Sequence, residues 1–356
     1  MQLHGGNSGE IAKKYGLDEQ AIIDFSANIN PLGFPKGIKA LLNKNTAVIT
    51  RYPDTHSTHL RKIIASRNGV HEKNIIVGNG STELIYLLPR VFNPRVALIP
   101  QPTFREYQAS LESMGCTIRH LPLDERSLFR VKIDDMLSLL PKVDIIYLCN
   151  PNNPTGVLEK RDYLKPLIAE AAKKDVLCVV DESFIDFSGD ESLGGEAVKR
   201  NNLIILKSMT KFFGIPGLRL GYMIAQRPTV ACINKQKEPW SVNVLAQRVG
   251  AFCFKDNHFS TRTRQFVSRE RHYLYNQVNG IKGLRTYDSS TNFLLIKILK
   301  NGLTSTEIYN SLAGDGILIR DCRSFKGMGK KFIRIAVKKR KQNQLLIKAL
   351  KKIVEM

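Results

Sequence analysis

The sequence predicts an α/β protein. It expects three α/β/α layers around a mostly parallel sheet, a smaller C-terminal α+β domain and an N-terminal arm. Three observations lead there. From about residue 70 to 225, short apolar runs alternate with helical patterns, the mark of strands joined by crossover helices. The runs are nearly continuous in apolar residues, as strands covered on both faces must be. Polar motifs recur just after these strands, at the edge where open α/β sheets bind ligands.

Residues 8–16 read as a short helix. Asp24-Phe25-Ser26-Ala27-Asn28-Ile29-Asn30-Pro31-Leu32-Gly33 is extended and dense in turn formers. It is either an ordered arm whose side chains cap backbone groups or an arm that closes over a ligand. Helices are expected at 36–45 and 57–68, on either side of Arg51-Tyr52-Pro53-Asp54.

A strand at 74–78 runs into Asn79-Gly80-Ser81-Thr82-Glu83 and a helical run from Leu84 to Phe92. Strand, glycine turn, hydroxyl pair and helix start together offer backbone N–H groups to an anion. The stretch lacks the Gly-Lys-Ser/Thr of a Walker motif. Further strands are expected at 96–99, 116–121, 144–148, 176–180, 203–206 and 220–225, with helices ending near 114 and spanning 159–173. After them come Pro102-Thr103-Phe104, Asn150-Pro151-Asn152-Asn153-Pro154-Thr155-Gly156 and Asp181-Glu182.

The last motif is Lys207-Ser208-Met209-Thr210-Lys211, followed by Gly217-Leu218-Arg219-Leu220-Gly221. Hydroxyls and an arginine around one lysine make a phosphate cradle, since a guanidinium grips phosphate in bidentate fashion. A lysine beside it can form a Schiff base with an aldehyde carried on that phosphate. Pyridoxal phosphate has that shape. Taken alone, the stretch also fits a polar turn with an incidental lysine.

Beyond 225 the pattern changes. A long helical stretch is expected at about 229–278, including Pro239-Trp240-Ser241-Val242-Asn243. Short strands at 291–296, 316–321 and 332–336, with helices at 304–313 and 341–354, read as a small α+β unit. The expected division is an arm at 1–35 belonging to the small domain, a large domain at 36–235, a helical connection at 236–280 and the small domain at 281–356.

Composition narrows the function. Hydrophobic content of 43% in 356 residues suffices for a full core. The N-terminus lacks a signal-peptide pattern, and no apolar run reaches the roughly 20 residues of a membrane span. Six cysteines (116, 149, 178, 232, 253, 322) form no Cys-x-x-Cys pair. They read as reduced thiols of a cytoplasmic protein, with no metal site. The net charge of +22 is spread along the chain without an aromatic-interleaved stripe. It reads as a solvated basic surface that gathers anionic small molecules, and no nucleic-acid or membrane partner is expected.

The strand-end residues suit one cofactor. Asp181 fits a pyridine nitrogen, Asn153 the phenolic oxygen and Phe104 the ring face, although Phe104 also fits core packing and Asp181 also fits a helix cap. Arg320 and Arg334 interrupt apolar strands, where each needs either an internal salt bridge or a bound anion.

On these motifs the chain resembles the fold-type-I pyridoxal-phosphate enzymes of the aspartate aminotransferase superfamily, over nearly its whole length. Within them it is similar to histidinol-phosphate aminotransferases. The likeness is greater to cobalamin-pathway L-threonine O-3-phosphate decarboxylases, through His-Gly-Gly-Asn at 4–7, the 24–33 arm, Asp-Glu-Ser-Phe-Ile-Asp-Phe at 181–187 and Pro-Trp-Ser-Val-Asn at 239–243. The resemblance implies the superfamily's three-layer fold and a homodimer with shared active sites. It implies Lys211 as the Schiff-base lysine and proton shuttle. It places Asp181 on the ring nitrogen, Asn153 on the phenolic oxygen and Phe104 on the ring. Ser81, Thr82, Ser208, Thr210 and Arg219 would hold the cofactor phosphate, with Tyr52 from the neighbouring subunit. His4, Asn30, Asn153, Arg320 and Arg334 would meet a small phosphorylated amino acid.

One position departs from the aminotransferases, which usually carry Tyr where this chain has Phe184. The decarboxylases also carry Phe there. The implied reaction is decarboxylation of L-threonine O-3-phosphate to (R)-1-aminopropan-2-yl phosphate, with L-serine O-phosphate as a close variant. A histidinol-phosphate-type aminotransferase is the alternative.

Overall fold

The computed structural model describes residues 5–355. The arm contributes β1 (Ile23–Asp24). The main sheet contains β2 (Ile75–Asn79), β3 (Val96–Gln101), β4 (Thr117–Pro122), β5 (Ile145–Cys149), β6 (Leu177–Asp181), β7 (Leu203–Ser208) and β8 (Leu220–Ile224). A second region contains β9 (Leu284–Thr286), β10 (Phe293–Ile298), β11 (Ile317–Leu318), β12 (Arg320–Asp321) and β13 (Phe332–Ala336).

The main sheet runs in the order β2-β8-β7-β6-β5-β3-β4. Neighbours are parallel except β8, which is antiparallel to both β2 and β7. The cause is local. Residues 209–219 carry no full crossover helix, so the chain returns beside β7 in the opposite direction. Successive residues of one strand face opposite cores. Ile145 and Tyr147 pack with Ile85, Ile99 and Val179, whereas Ile146 and Leu148 pack with Leu98, Leu167 and Val180. Both faces are therefore buried, as the continuous apolar runs require.

The second region holds a four-stranded antiparallel sheet, β12-β13-β10-β9. Its core joins Leu294, Ile296, Ile333 and Ile335 to Leu346 and Leu350 of the Arg340–Glu355 helix. The arm is attached here. β1 pairs in parallel with β11, and the Ala336 N–H donates to Phe25 O at 2.8 Å.

Three expectations need correction. The helical stretch at 229–278 is three helices, Arg227–Asn234, Val244–Cys253 and Asn257–Asn279. The second and third have side-chain caps: Asn243 accepts from the Ala246 N–H and Asp256 from the Phe259 N–H, both at 2.8 Å. The run at 316–321 is two strands in different sheets, because Ile319 separates β11 from β12. The helix expected from Leu84 starts at Gly80, which places Ser81 and Thr82 in its first turn.

Candidate active site

The strand-end motifs meet around a cavity of ≈ 420 Å³. Its walls carry Thr82, Phe104, Asn153, Phe184, Lys211 and Arg219 from the main sheet. Arg320, Ser324, Phe325 and Arg334 come from the second region, and Ala27, Asn28 and Ile29 from the arm.

One side is a compact anion cradle. β2 ends at Asn79, and Gly80 turns the chain into the Gly80–Phe92 helix with a φ of 76°. A Cβ at Gly80 would lie 2.7 Å from Arg219 Nη2, so only glycine leaves room for that guanidinium. Arg219 itself holds a left-handed φ of 54°, a strained backbone of the sort concentrated at functional sites. Thr82 and the N–H groups of the helix's first turn complete the cradle. Ser81, Ser208 and Thr210 are buried beside it.

Lys211 follows β7 by one turn. Its Nζ donates to Ser208 Oγ at 3.2 Å, and Ser208 Oγ lies 2.8 Å from Thr210 Oγ1. Burial lowers the pKa of the Lys211 amine, Asp181 opposes this and Arg219 reinforces it. Asp181 ends β6 in register with Cys149. Its Oδ1 accepts from the Ser183 N–H at 2.8 Å and its Oδ2 from the Tyr107 hydroxyl at 2.7 Å.

The opposite wall is cationic. Arg334 Nη1 donates to Asn153 Oδ1, and Nη2 donates to Ser26 O at 2.8 Å. Its Nε is buried without a hydrogen-bond partner among the described residues, as is Asn28 Oδ1. Burial pulls the Arg334 pKa down to about 10. Arg320 Nη2 donates to Ser324 Oγ, and its guanidinium sits 5.3 Å from the Phe325 ring centre.

Not every expected residue reaches the cavity. Asn30 does not line it. Its amide donates to Phe212 O at 2.6 Å and Thr263 Oγ1 at 3.0 Å, and its Oδ1 accepts from the Leu32 N–H at 2.9 Å. Those bonds occupy the side chain, so Asn30 pins the arm beside Lys211 in place of the expected substrate contact. Tyr52 is 83% exposed, with its ring 5.0 Å from Trp240, and lies outside its own chain's cavity. His4 lies outside the described residues. Tyr107, Asn28, Ser324 and Phe325 were missed. Tyr107 carries no distinguishing signal, since a tyrosine on the Glu106–Glu112 helix reads as core packing until its partner is known.

The residues fit a phosphorylated, planar, positively polarised group. A cradle for a dianion lies at one end, a lysine amine beside it, a buried carboxylate beneath and an aromatic ring at the wall. The threonine-phosphate decarboxylase of Salmonella typhimurium is 35% identical over 353 residues, covering 99% of this chain and 96% of that protein. The structure of L-threonine-O-3-phosphate decarboxylase from Porphyromonas gingivalis superposes with a TM-score of 0.83 at 29% identity, over 93% of this chain and 98% of that one. Histidinol-phosphate aminotransferase from Sinorhizobium meliloti, in complex with pyridoxal-5'-phosphate, shares the fold with a TM-score of 0.90 at 19% identity, over 98% and 95% of the two chains. Residues 20–350 match the model of the aminotransferase class I and II family, and the chain belongs to that family.

Proposed function

We propose that this protein decarboxylates L-threonine O-3-phosphate to (R)-1-aminopropan-2-yl phosphate for cobalamin biosynthesis, using pyridoxal 5'-phosphate. One observation carries the reading. Two buried arginines, Arg320 and Arg334, line the same cavity as Lys211. A substrate with a carboxylate and a phosphate supplies two anionic groups for two guanidiniums.

The bound cofactor supplies an electron sink for a bond at the substrate Cα. Thr82, Arg219 and the first turn after Gly80 would hold its phosphate, with Ser81, Ser208 and Thr210 behind them. Lys211 would hold its aldehyde carbon, Asp181 its ring nitrogen and Phe104 its ring face. Asn153 accepts from Arg334 through Oδ1, which leaves its Nδ2 to donate to the phenolic oxygen.

The protein's own contribution is orientation. Holding the carboxylate perpendicular to the ring favours loss of CO2, whereas holding Cα–H there favours amino transfer. Arg334 and Arg320 fix the two anionic ends of the substrate and so choose which bond stands upright. Lys211, once protonated, would return a proton from its ammonium to the substrate Cα after loss of CO2, leaving the neutral amine. Burial favours its neutral form and eases its cycling between base and acid. Phe184, with Lys211 Nζ 5.9 Å from its ring centre, gives no hydroxyl to the phenolic oxygen.

The working unit is a homodimer in the cytoplasm. Tyr52, Trp240 and Ile49 are exposed, and Tyr52 lines an apolar groove of ≈ 570 Å³ with Leu41, Val48, Val244 and Phe252. A second copy seated there would bring Tyr52 to its neighbour's cofactor phosphate. The six cysteines are all free thiols, in keeping with a reducing compartment.

Incubating the purified protein with L-threonine O-3-phosphate tests the assignment. The expected result is CO2 release without 2-oxoglutarate, with slower release from L-serine O-phosphate. Amino transfer from histidinol phosphate to 2-oxoglutarate without CO2 would overturn it in favour of an aminotransferase.

A further inference from the structure

Asp181 is gripped from behind by a chain of acids. Tyr107, fully buried on the Glu106–Glu112 helix, donates its hydroxyl to Asp181 Oδ2 at 2.7 Å. Its ring is fixed on two sides. Tyr147 stacks on it at 5.3 Å and 24°, and Phe104 meets it edge-on at 5.5 Å and 78°. The Cys149 thiol interacts with the same hydroxyl from β5, where Cys149 is the register partner of Asp181. The phenol therefore stands between the thiol sulfur and the carboxylate, and bonds the carboxylate.

Burial acts on the thiol and the phenol in the same direction. It pushes the Cys149 thiol up to about 12 and the Tyr107 phenol well above its ordinary value. Both stay protonated: the phenol donates to the carboxylate, while the Cys149 S–H donates to Pro151 O at 3.4 Å, which holds the sulfur beside the phenol. Lys211 and Tyr147 are the other titratable groups that sense Asp181. A buried carboxyl group requires hydrogen-bond partners, and only the Ser183 N–H and the Tyr107 hydroxyl donate to the Asp181 carboxylate oxygens among the described residues.

We infer that Tyr107, with the Cys149 sulfur packed beside its hydroxyl, is the positioning residue for Asp181, fixing the plane of the carboxylate that meets the cofactor's ring nitrogen. The same ring buttresses Phe104, so one side chain supports both the edge and the face of the cofactor. The inference rests on the cofactor reading of the site and not on which substrate is used.

Tyr107→Phe keeps the ring and removes only the hydroxyl. In the full-length protein, pyridoxal phosphate affinity is expected to fall about tenfold or more, the range for losing a hydrogen bond to a charged group. The pH midpoint of the bound cofactor's visible absorption is expected to move, with apo melting temperature changed by only a few degrees. Cys149→Ala, which removes the sulfur packed beside the tyrosine hydroxyl, should move affinity and midpoint in the same direction by a smaller factor. It provides the reading if Tyr107→Phe fails to fold. Parent-like affinity and midpoint in the variants would overturn the inference, as would a fall in melting temperature without a spectroscopic shift. If the parent binds the cofactor but releases no CO2, only the reaction assignment fails. If the parent shows no cofactor absorption, both fail.

Discussion

Arg320 and Arg334 are direct cross-strand partners on the antiparallel pair β12–β13, and both are buried. Like charges directly opposite one another destabilise a sheet. Each is partly compensated by an aromatic ring, Phe325 at 5.3 Å from Arg320 and Phe293 at 5.2 Å from Arg334. Burial lowers both pKa values, and the charge of Arg320 lowers that of Arg334 further. Arginine nonetheless stays protonated in proteins. An anion bound between the two guanidiniums would offset that repulsion.

Replacing either arginine by Gln should raise KM for L-threonine O-3-phosphate about ten- to hundredfold, as expected for deleting a hydrogen bond to a charged group. Arg320→Gln should shift the ligand-free melting temperature by only a few degrees, because the repulsion from Arg334 and the bond to Ser324 are lost together. Phosphate should raise the parent's melting temperature more than the variant's. A variant that melts well below the parent yet keeps the parent's KM would refute the anion-site reading. Calorimetry and initial rates provide both numbers.

Lys211→Ala should abolish turnover and the cofactor's visible band. The pH dependence of the ligand-free protein has a definite sign. Burial holds the folded amine below its ordinary 10.5, so the unfolded chain binds more protons there and stability rises with pH. The destabilisation is complete below the folded pKa and disappears as pH passes the unfolded value. Lys211→Met should remove that slope in urea titrations between neutral and alkaline pH. A slope equal to the parent's would contradict the account.

Two glycines separate folding from binding. A Cβ at Gly221 would meet Ser81 N at 2.3 Å and Lys207 O at 2.9 Å, both backbone atoms. Gly221→Ala should therefore destabilise by about 1–3 kcal/mol, the usual range for overpacking. Gly80→Ala would press on the movable tip of Arg219. It should weaken cofactor binding more than it lowers stability, although its φ of 76° adds strain. Equal behaviour of the two variants in melting and cofactor titration would rule out this division.

Glu125 couples the second sheet to the segment after β4. It accepts from Lys297 Nζ at 2.7 Å through both oxygens and from the Tyr287 hydroxyl at 2.5 Å. Phe129 packs edge-on to Tyr287 and Phe332 nearby. Burial raises the Glu125 pKa, but the bonds from Lys297 and Tyr287 outweigh it and lower the pKa overall. Its stabilisation is present above the ordinary value of 4.5 and is lost as pH falls through the lowered folded value. Glu125→Gln should cost about 1–2 kcal/mol near neutral pH. It should also flatten the acid limb of the stability curve. An unchanged acid limb would show that the contact contributes nothing.

If the proposed homodimer shares its sites, Tyr52→Ala should reduce cofactor affinity while leaving each subunit's fold intact. Mixing it with Lys211→Ala subunits tests sharing directly. Hybrid dimers should recover one site with intact Lys211 and a partner's Tyr52, unless each subunit uses only its own residues.

Much of the site was legible because its residues sit at strand ends. Asp181, Asn153, Phe104 and Lys211 each follow an apolar run, and strand periodicity reveals those ends without knowledge of their neighbours. Tyr107 was not legible, because a tyrosine on an apolar helix face looks like ordinary core until the carboxylate 74 positions away is brought to it. Asn30 was misassigned for a similar reason. Its partners Phe212 and Thr263 lie 182 and 233 residues distant.

The sequence by itself determined the α/β alternation, the buried strands and the group of chemical side chains, since these follow from local periodicity and turn chemistry. Tertiary structure alone decided the reversed direction of β8, the register that sets Arg320 against Arg334, and the acid chain behind Asp181. Each depends on which distant segments pack together. That choice is made by burial summed over the whole chain, which no local window contains.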